Sequence, residues 1–466
     1  MQNNCMKNPA AAAVFLFLVL VPAVFLGTQE TGTSTVDTAS TGGSAVPVQK
    51  TVDENFAARG KYLTVKIAVA GPGDEIYLWW GHIGLVIEDA LSGKKLFYDW
   101  GAFSFDTENF YLDFTLGRLF YSCTVSPADY TIARIIRENR DLTLYTLDLP
   151  PEAKTELLLF AENNVLPENR NYLYHHFREN CATRVRDIID RAVGGNFKSR
   201  YADAPGRFTL RQHVRRHTWF SPFWDWILNF LMGGGIDQSI TVWEEMFLPS
   251  EIAMRASEFT YTDALGTERR LVSDVEIMSL AKGRPGTAAI PPRRWIKELL
   301  LGLGIALLFA VLKLKTAGFF TGKLGKKHNR AFLFKTEQAR YIFGAAQAAF
   351  SLFFGGTGFL LFFLSFFTSH DYTYHNYNLF FVNPLLLAAV PLALVFAFGK
   401  DPKKRRNSER FLHVLWTIVF LGGIASIAIR FFPGFYQQNQ PTQALVLPAA
   451  FVLSIIPGWF LRLIKR

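Results

Sequence analysis

The sequence predicts an α+β domain followed by an all-helical membrane domain of about five spans. Three observations carry that expectation. Residues 62–190 mix short alternating strand runs with helical periodicities. Past residue 293 the chain holds five long apolar runs. Lys and Arg are bunched between alternate runs: eight in Lys313–Arg340 and six in Lys400–Arg410, against none in Thr368–Leu379 and one in Arg430–Gln443. By the positive-inside rule, the basic loops face the cytoplasm and the α+β domain lies outside.

Taken in order, Ala10–Leu26 is an apolar run behind Lys7, a signal peptide or a signal anchor within residues 1–27. Residues 28–60 are rich in Thr, Ser and Gly without period and read as a disordered linker. The domain is expected over 61–292. Leu63–Val69 alternates like a strand, Gly71-Pro72-Gly73-Asp74 breaks it, and His82 opens a second strand, Ile83–Glu88. A turn at Ser92–Lys95 leads to a third, Leu96–Trp100. Pro127–Asn139 reads as a helix, Leu142–Leu149 as a strand and Glu152–Val165 as a helix. Trp219 to Met232 crowds aromatic residues, and 217–233 is expected to lie at the membrane interface, with a core helix as the plain alternative. Thr260–Pro292 is polar strand and linker. The membrane domain, 293–466, has spans expected at about 295–312, 341–367, 380–398, 411–429 and 444–461.

Composition narrows the function. Half of the 466 residues are hydrophobic and 44 are Phe, too apolar for an ordinary soluble enzyme. The net charge of +10 sits in blocks beside apolar runs, which marks cytoplasmic loops, and no nucleic-acid partner is expected. Three cysteines exclude a disulfide scaffold, though a single Cys123–Cys181 bridge stays open.

The chemistry points to Asn180-Cys181-Ala182-Thr183-Arg184. Asn180 is a good N-cap, and Val185, Ile188 and Ile189 recur at helical spacing. Cys181 then sits in the first turn, where free N–H groups and the helix dipole favour a thiolate. A buried structural cysteine is the alternative. His82, between Gly81 and Gly84, is the candidate base; Asp99 on the next strand is its candidate orienter, with Tyr98 and Glu88 behind it. Backbone N–H groups at the helix start suit an oxyanion. His175 and His176 precede Cys181 but lack paired ligand spacing, so neither a metal nor a cofactor is expected. Arg184 is either a solvated helix residue or a lipid-phosphate ligand.

A strand histidine, a polar residue on the next strand, then Asn-Cys opening a helix is the order of permuted papain-like enzymes of the NlpC and lecithin:retinol acyltransferase type. Gly81-His82, Asp99-Trp100-Gly101-Ala102-Phe103, Asn180–Arg184 and Met246-Phe247-Leu248-Pro249 together resemble the extracytoplasmic domain of Lnb-type lipoprotein N-acyltransferases. The outer stretch with His370, Asn376-Tyr377-Asn378-Leu379 and Asn383-Pro384-Leu385 extends the resemblance. It implies a papain-like cysteine enzyme in a bacterial inner membrane. Cys181 would take a fatty acyl chain from phospholipid and pass it to the α-amine of a diacylglyceryl-cysteine lipoprotein. Catalytic Cys181, His82 and Asp99 follow, with substrate contacts at Arg184, Trp224, Trp226, His370, Asn376, Asn378 and Asn383. Two rivals stand beside this: a same-fold hydrolase, and a non-enzymatic module that binds lipid or a partner.

The charge pattern makes one direct prediction. A reporter active only after export, fused after Gly286, is expected to be active; activity of a strictly cytoplasmic reporter there would overturn the topology.

Overall fold

The computed structural model describes residues 58–103, 110–317 and 336–455. The signal segment, most of the expected linker, Cys5 and the end of the fifth expected span lie outside the described residues. The described chain divides into two compact units. The first runs to Asp203 and resumes over Met246–Gly283; the second is Ala204–Glu245 together with the chain from Arg284 onward.

The first unit is built on an antiparallel sheet. Its strands are β1 (Leu63–Ala70), β2 (His82–Asp89), β3 (Lys94–Ala102), β4 (Leu119–Pro127), β5 (Leu142–Leu147), β6 (Asn171–Tyr174) and, after a short β7–β8 hairpin (Thr260–Thr262, Glu268–Arg270), β9 (Val272–Ser279). The order across the sheet is β6-β4-β3-β2-β1-β5-β9. The four central strands β3, β2, β1 and β5 match the alternation in the sequence. The strands β4 and β6 were not expected, while β9 falls within Thr260–Pro292, read as polar strand and linker. The β4 and β6 runs are short and their exposed faces carry apolar residues such as Phe120 and Leu173, which blurs the period-2 pattern. The helix Cys181–Ala192 packs on β2 and β3 through buried Val185, Ile188 and Ile189. That contact brings the helix start to the strand carrying His82.

The second unit is helical. Trp295–Thr316, Thr336–Phe367 and Pro402–Ile429 are long and apolar enough to cross a membrane, and Leu386–Phe398 is a shorter apolar helix. Gln440–Ser454 is the described part of the fifth. Their core gathers Phe309, Phe343, Phe350, Trp416 and Val446. Where apolar surface faces lipid, close approach of backbones does much of the packing. At Gly302 an added Cβ would meet the Ala444 carbonyl oxygen at 2.3 Å, so the first and fifth helices touch there only because the residue is glycine.

The Trp-rich segment departs from expectation. It belongs to the helical unit, not to the catalytic domain expected over 61–292. Its helix, Pro222–Leu231, buries Ile227 and Phe230 in the same core as the spans, and Trp226 stacks on Phe353 with ring centroids 5.9 Å apart. Aromatic composition does not separate an interfacial helix from a core helix: Ile227 and Phe230 are buried, while Trp219 and Phe223 are exposed. The segment is locked by Arg211, whose side chain is 0% exposed. Its guanidinium donates to Asp237 Oδ1 at 2.8 Å and to the carbonyls of Asn229, Met232 and Gly233 at 2.7, 2.9 and 2.7 Å.

Arg211→Ala would strip the buried Asp237 carboxylate of its cation and take a donor from three carbonyls. It is expected to cost about 3–5 kcal/mol, read as a lowered melting temperature of the full-length protein in detergent. Retention of the wild-type melting temperature would contradict this account.

Candidate active site

The helix start is set by Asn180. Its Oδ1 accepts from the Thr183 N–H at 2.9 Å, and Thr183 Oγ1 accepts from the Asn180 N–H at 2.8 Å, a reciprocal capping box. The Asn180 amide then donates to the carbonyls of His176 (2.8 Å) and Phe247 (3.0 Å). Phe247 belongs to the Met246–Pro249 motif, so that motif anchors the cap. Cys181 follows as the first helical residue and is buried. The cap uses the N–H groups of Asn180 and Thr183; those of Cys181 and Ala182 point from the same turn.

His82 Nε2 donates to Asp99 Oδ1 at 2.8 Å. Beside Asp99, the Cys181 side chain is the other group that favours the charged imidazole. Asp99 Oδ1 accepts a second bond from the Gly101 N–H at 2.7 Å. The β3–β4 register shifts between Asp99 and Ala102, a bulge of the kind that re-aims side chains beside sites. Gly101 is required there: a Cβ would lie 2.4 Å from His82 Cε1. Gly81 has φ +78° and faces the Ala70 carbonyl. Of the rival orienters, Glu88 pairs with Lys66 at 3.0 Å and Tyr98 is buried in the core. Asp99 alone meets the histidine.

Electrostatics follow this geometry. Burial opposes a charged imidazole, but the Asp99 and Cys181 charges and their hydrogen bonds outweigh it, and His82 is pushed up to about 10. Burial would raise the Asp99 carboxyl; the His82 charge and the two hydrogen bonds hold it below the usual carboxylate range. Cys123 and Cys181 are both free thiols, so no bridge joins them. Burial pushes Cys123 up to about 12, which keeps it an inert thiol.

A wall of aromatic residues, which sequence reasoning missed, stands beside the cysteine. Tyr121 stacks on Tyr174 with centroids 4.0 Å apart, and Phe103 approaches Tyr121 at 5.1 Å. Tyr172 donates its hydroxyl to the Trp100 carbonyl. Burial first, then the charge of Cys181, push the Tyr121 and Tyr172 phenols far up, so both remain hydroxyl donors. The clue in the sequence was the aromatic run in β4 and β6.

The other expected contacts are placed as follows. Arg184 pairs with Glu179 and lies 4.5 Å over the Tyr172 ring, which braces the helix start. His175 Nδ1 accepts from the N–H groups of Phe177 and Arg178, both at 3.2 Å. In the helical unit, Trp224 and Trp226 pack against the core. Asn376 and Asn378 donate to the Phe230 carbonyl at 2.8 and 3.0 Å, and Asn383 Oδ1 accepts from the Leu385 N–H at 3.0 Å. Each of these three asparagines thus holds a backbone group, while Asn378 Oδ1 is left buried without a partner among the described residues. His370 is buried and its Nδ1 accepts from the Tyr372 hydroxyl at 2.8 Å.

The first unit thus defines a cysteine–histidine–aspartate constellation on an antiparallel α/β domain, in a chain that continues into membrane helices. Residues 53–216 match the family description Lnb N-terminal periplasmic domain, and residues 331–465 match Lnb transmembrane domain. The chain belongs to the Lnb family, as a membrane protein with a periplasmic domain. Membership suggests an enzyme of lipoprotein processing. Comparison with curated proteins and with solved structures gave no match.

The elevated histidine gives a pH prediction. Its folded-state value lies above the ordinary 6.5. The stability it contributes is therefore complete below 6.5 and lost as pH rises through about 10. NMR of labelled histidine is expected to show imidazolium at pH 8, and Asp99→Asn should move the loss of that proton down by about 1–3 pH units. An unmoved titration would remove Asp99 from the site.

Proposed function

We propose that this protein is a lipoprotein N-acyltransferase of the bacterial inner membrane, with a papain-like cysteine site. The placement of Cys181 at a capped helix start, facing the His82–Asp99 pair, carries the reading. The Cys181 thiolate attacks the ester carbonyl of a phospholipid acyl chain. The N–H groups of Cys181 and Ala182 donate to the oxyanion that forms. The carbon–oxygen bond breaks, His82 gives its proton to the departing alkoxide, and lysophospholipid leaves a thioester on Cys181. The α-amine of a diacylglyceryl-cysteine lipoprotein then attacks the thioester. His82 takes the proton from nitrogen, the carbon–sulfur bond breaks, and amide and thiolate result. Asp99 holds the imidazole by its Nε2 throughout.

The aromatic wall gives the thioester a water-poor flank, which favours an amine over water as the second nucleophile. Among the outer-loop residues, substrate contacts are proposed for His370, held by Tyr372, and for Asn376, Asn378 and Asn383, which also hold backbone.

The test is intact-mass analysis. Incubation with phospholipid alone is expected to add one fatty acyl group to Cys181, and lipoprotein should discharge it to a triacylated N-terminus. Cys181→Ala and His82→Ala should each lower turnover about a thousandfold or more, with the double variant no worse than either, because the two act as a unit. Free fatty acid released equally with and without lipoprotein would make the protein a hydrolase instead.

A further inference from the structure

Two phenols of the aromatic wall stand beside Cys181, and their hydroxyls differ. Tyr121 and Tyr172 are cross-strand partners on β4 and β6, so they share one face of the sheet. Their ring centroids lie 6.5 Å apart. The first turn of the Cys181 helix reaches this pair, since the Arg184 guanidinium lies 4.5 Å over the Tyr172 ring. Tyr172 spends its hydroxyl on the Trp100 carbonyl. The Tyr121 hydroxyl makes no hydrogen bond among the described residues.

The Tyr121 ring is nevertheless fixed. Tyr174 stacks on it, 4.0 Å between centroids and 20° from parallel, and Phe103 lies 5.1 Å away. These neighbours hold the ring torsions, which leaves only the O–H rotor free. A phenol oxygen on a clamped ring has a set position, and that is what a preorganised donor needs. Among charged groups, Cys181 has the largest influence on this phenol, ahead of Tyr77. Burial and that charge push it far above its usual value, so it donates its hydrogen bond and keeps its proton.

The chemistry at Cys181 has a use for such a donor. Attack of the thiolate on an acyl carbonyl forms the carbon–sulfur bond and moves the carbonyl π pair onto oxygen. Hydrogen bonds that strengthen as this charge develops lower the barrier. The Cys181 and Ala182 N–H groups approach from the helix; a hydroxyl approaches from the sheet, and O–H···O⁻ bonds are among the short, strong kind. We propose that Tyr121 is a further catalytic residue, its hydroxyl donating to the oxyanion of the tetrahedral intermediate at Cys181. The plain alternative is that the ring only shields the thioester from water, a role that needs the ring and not the oxygen. The inference rests on the acyl-transfer reading only in taking a carbonyl as the electrophile; whether amine or water later receives the acyl group does not enter it.

The test compares two reactions of the same sulfur in full-length protein in detergent. With p-nitrophenyl decanoate, the thiolate forms a thioester through an oxyanion and releases p-nitrophenolate in a burst. With iodoacetamide, the thiolate displaces iodide and no oxyanion forms. Tyr121→Phe is expected to slow the burst about a hundredfold, the loss that follows removal of one oxyanion donor. Alkylation by iodoacetamide should stay near the wild-type rate. A fall in both rates together would mean that Tyr121 only keeps the site in shape, and a fall in neither would mean that the hydroxyl is idle. Either result overturns the proposal. Wild type that gives the burst but is never acylated by phospholipid, with Tyr121→Phe still slowing the burst alone, would sink the transferase reading and leave the role of Tyr121 standing.

Discussion

One side chain, that of Asn180, fixes where the candidate chemistry takes place. Its oxygen closes the capping box and its nitrogen spans two carbonyls, His176 and Phe247, from separate parts of the chain. The consequence is geometric. A helix without a firm first turn frays, and a cysteine in a frayed turn has no fixed sulfur position. With the box closed, the sulfur is set by the cap and the imidazole by the sheet, so their distance becomes a property of two rigid elements. The packing of Val185, Ile188 and Ile189 on β2 and β3 then joins the two frames. Replacing Asn180 would disturb three hydrogen bonds at once, whereas replacing Arg184 would disturb an ion pair that is partly exposed.

This core of the site was legible in the sequence because each of its parts is local. The cap is a four-residue pattern, the strand before His82 is a period-2 run, and the glycines around both His82 and Asp99 stand out in apolar surroundings. The need for Gly101 was not visible in the same way, since it arises from the approach of a ring on the neighbouring strand. Nor was the aromatic wall. Tyr121 and Tyr174 meet only through the β4–β6 pairing, which joins segments about fifty residues apart.

The helical unit was less legible for a different reason. The apolar runs located its helices, yet composition does not tell what a polar or aromatic residue among them is for. Asn376 and Asn378 read as lipid-binding amides and also hold the carbonyl of Phe230, the last turn of the Trp-rich helix. Near a membrane, a helix end that ran out of partners would carry a heavier cost than in water, so side-chain amides are recruited to backbone first. The same reasoning explains Arg211, a fully buried cation serving three carbonyls and one carboxylate.

That ordering sharpens the difference between the groups that are satisfied and those that are not. An arginine, two asparagines and a glutamine are thus spent on the end of one short helix. Gln437 completes this clasp, donating to the Met232 carbonyl and to Asn376 Oδ1 at 3.1 and 3.0 Å. A few residues away, Asn439, Glu298, Asn229, Trp226 and Arg215 present buried donors and acceptors without protein partners. Each such atom costs free energy unless water or a ligand supplies the missing bond.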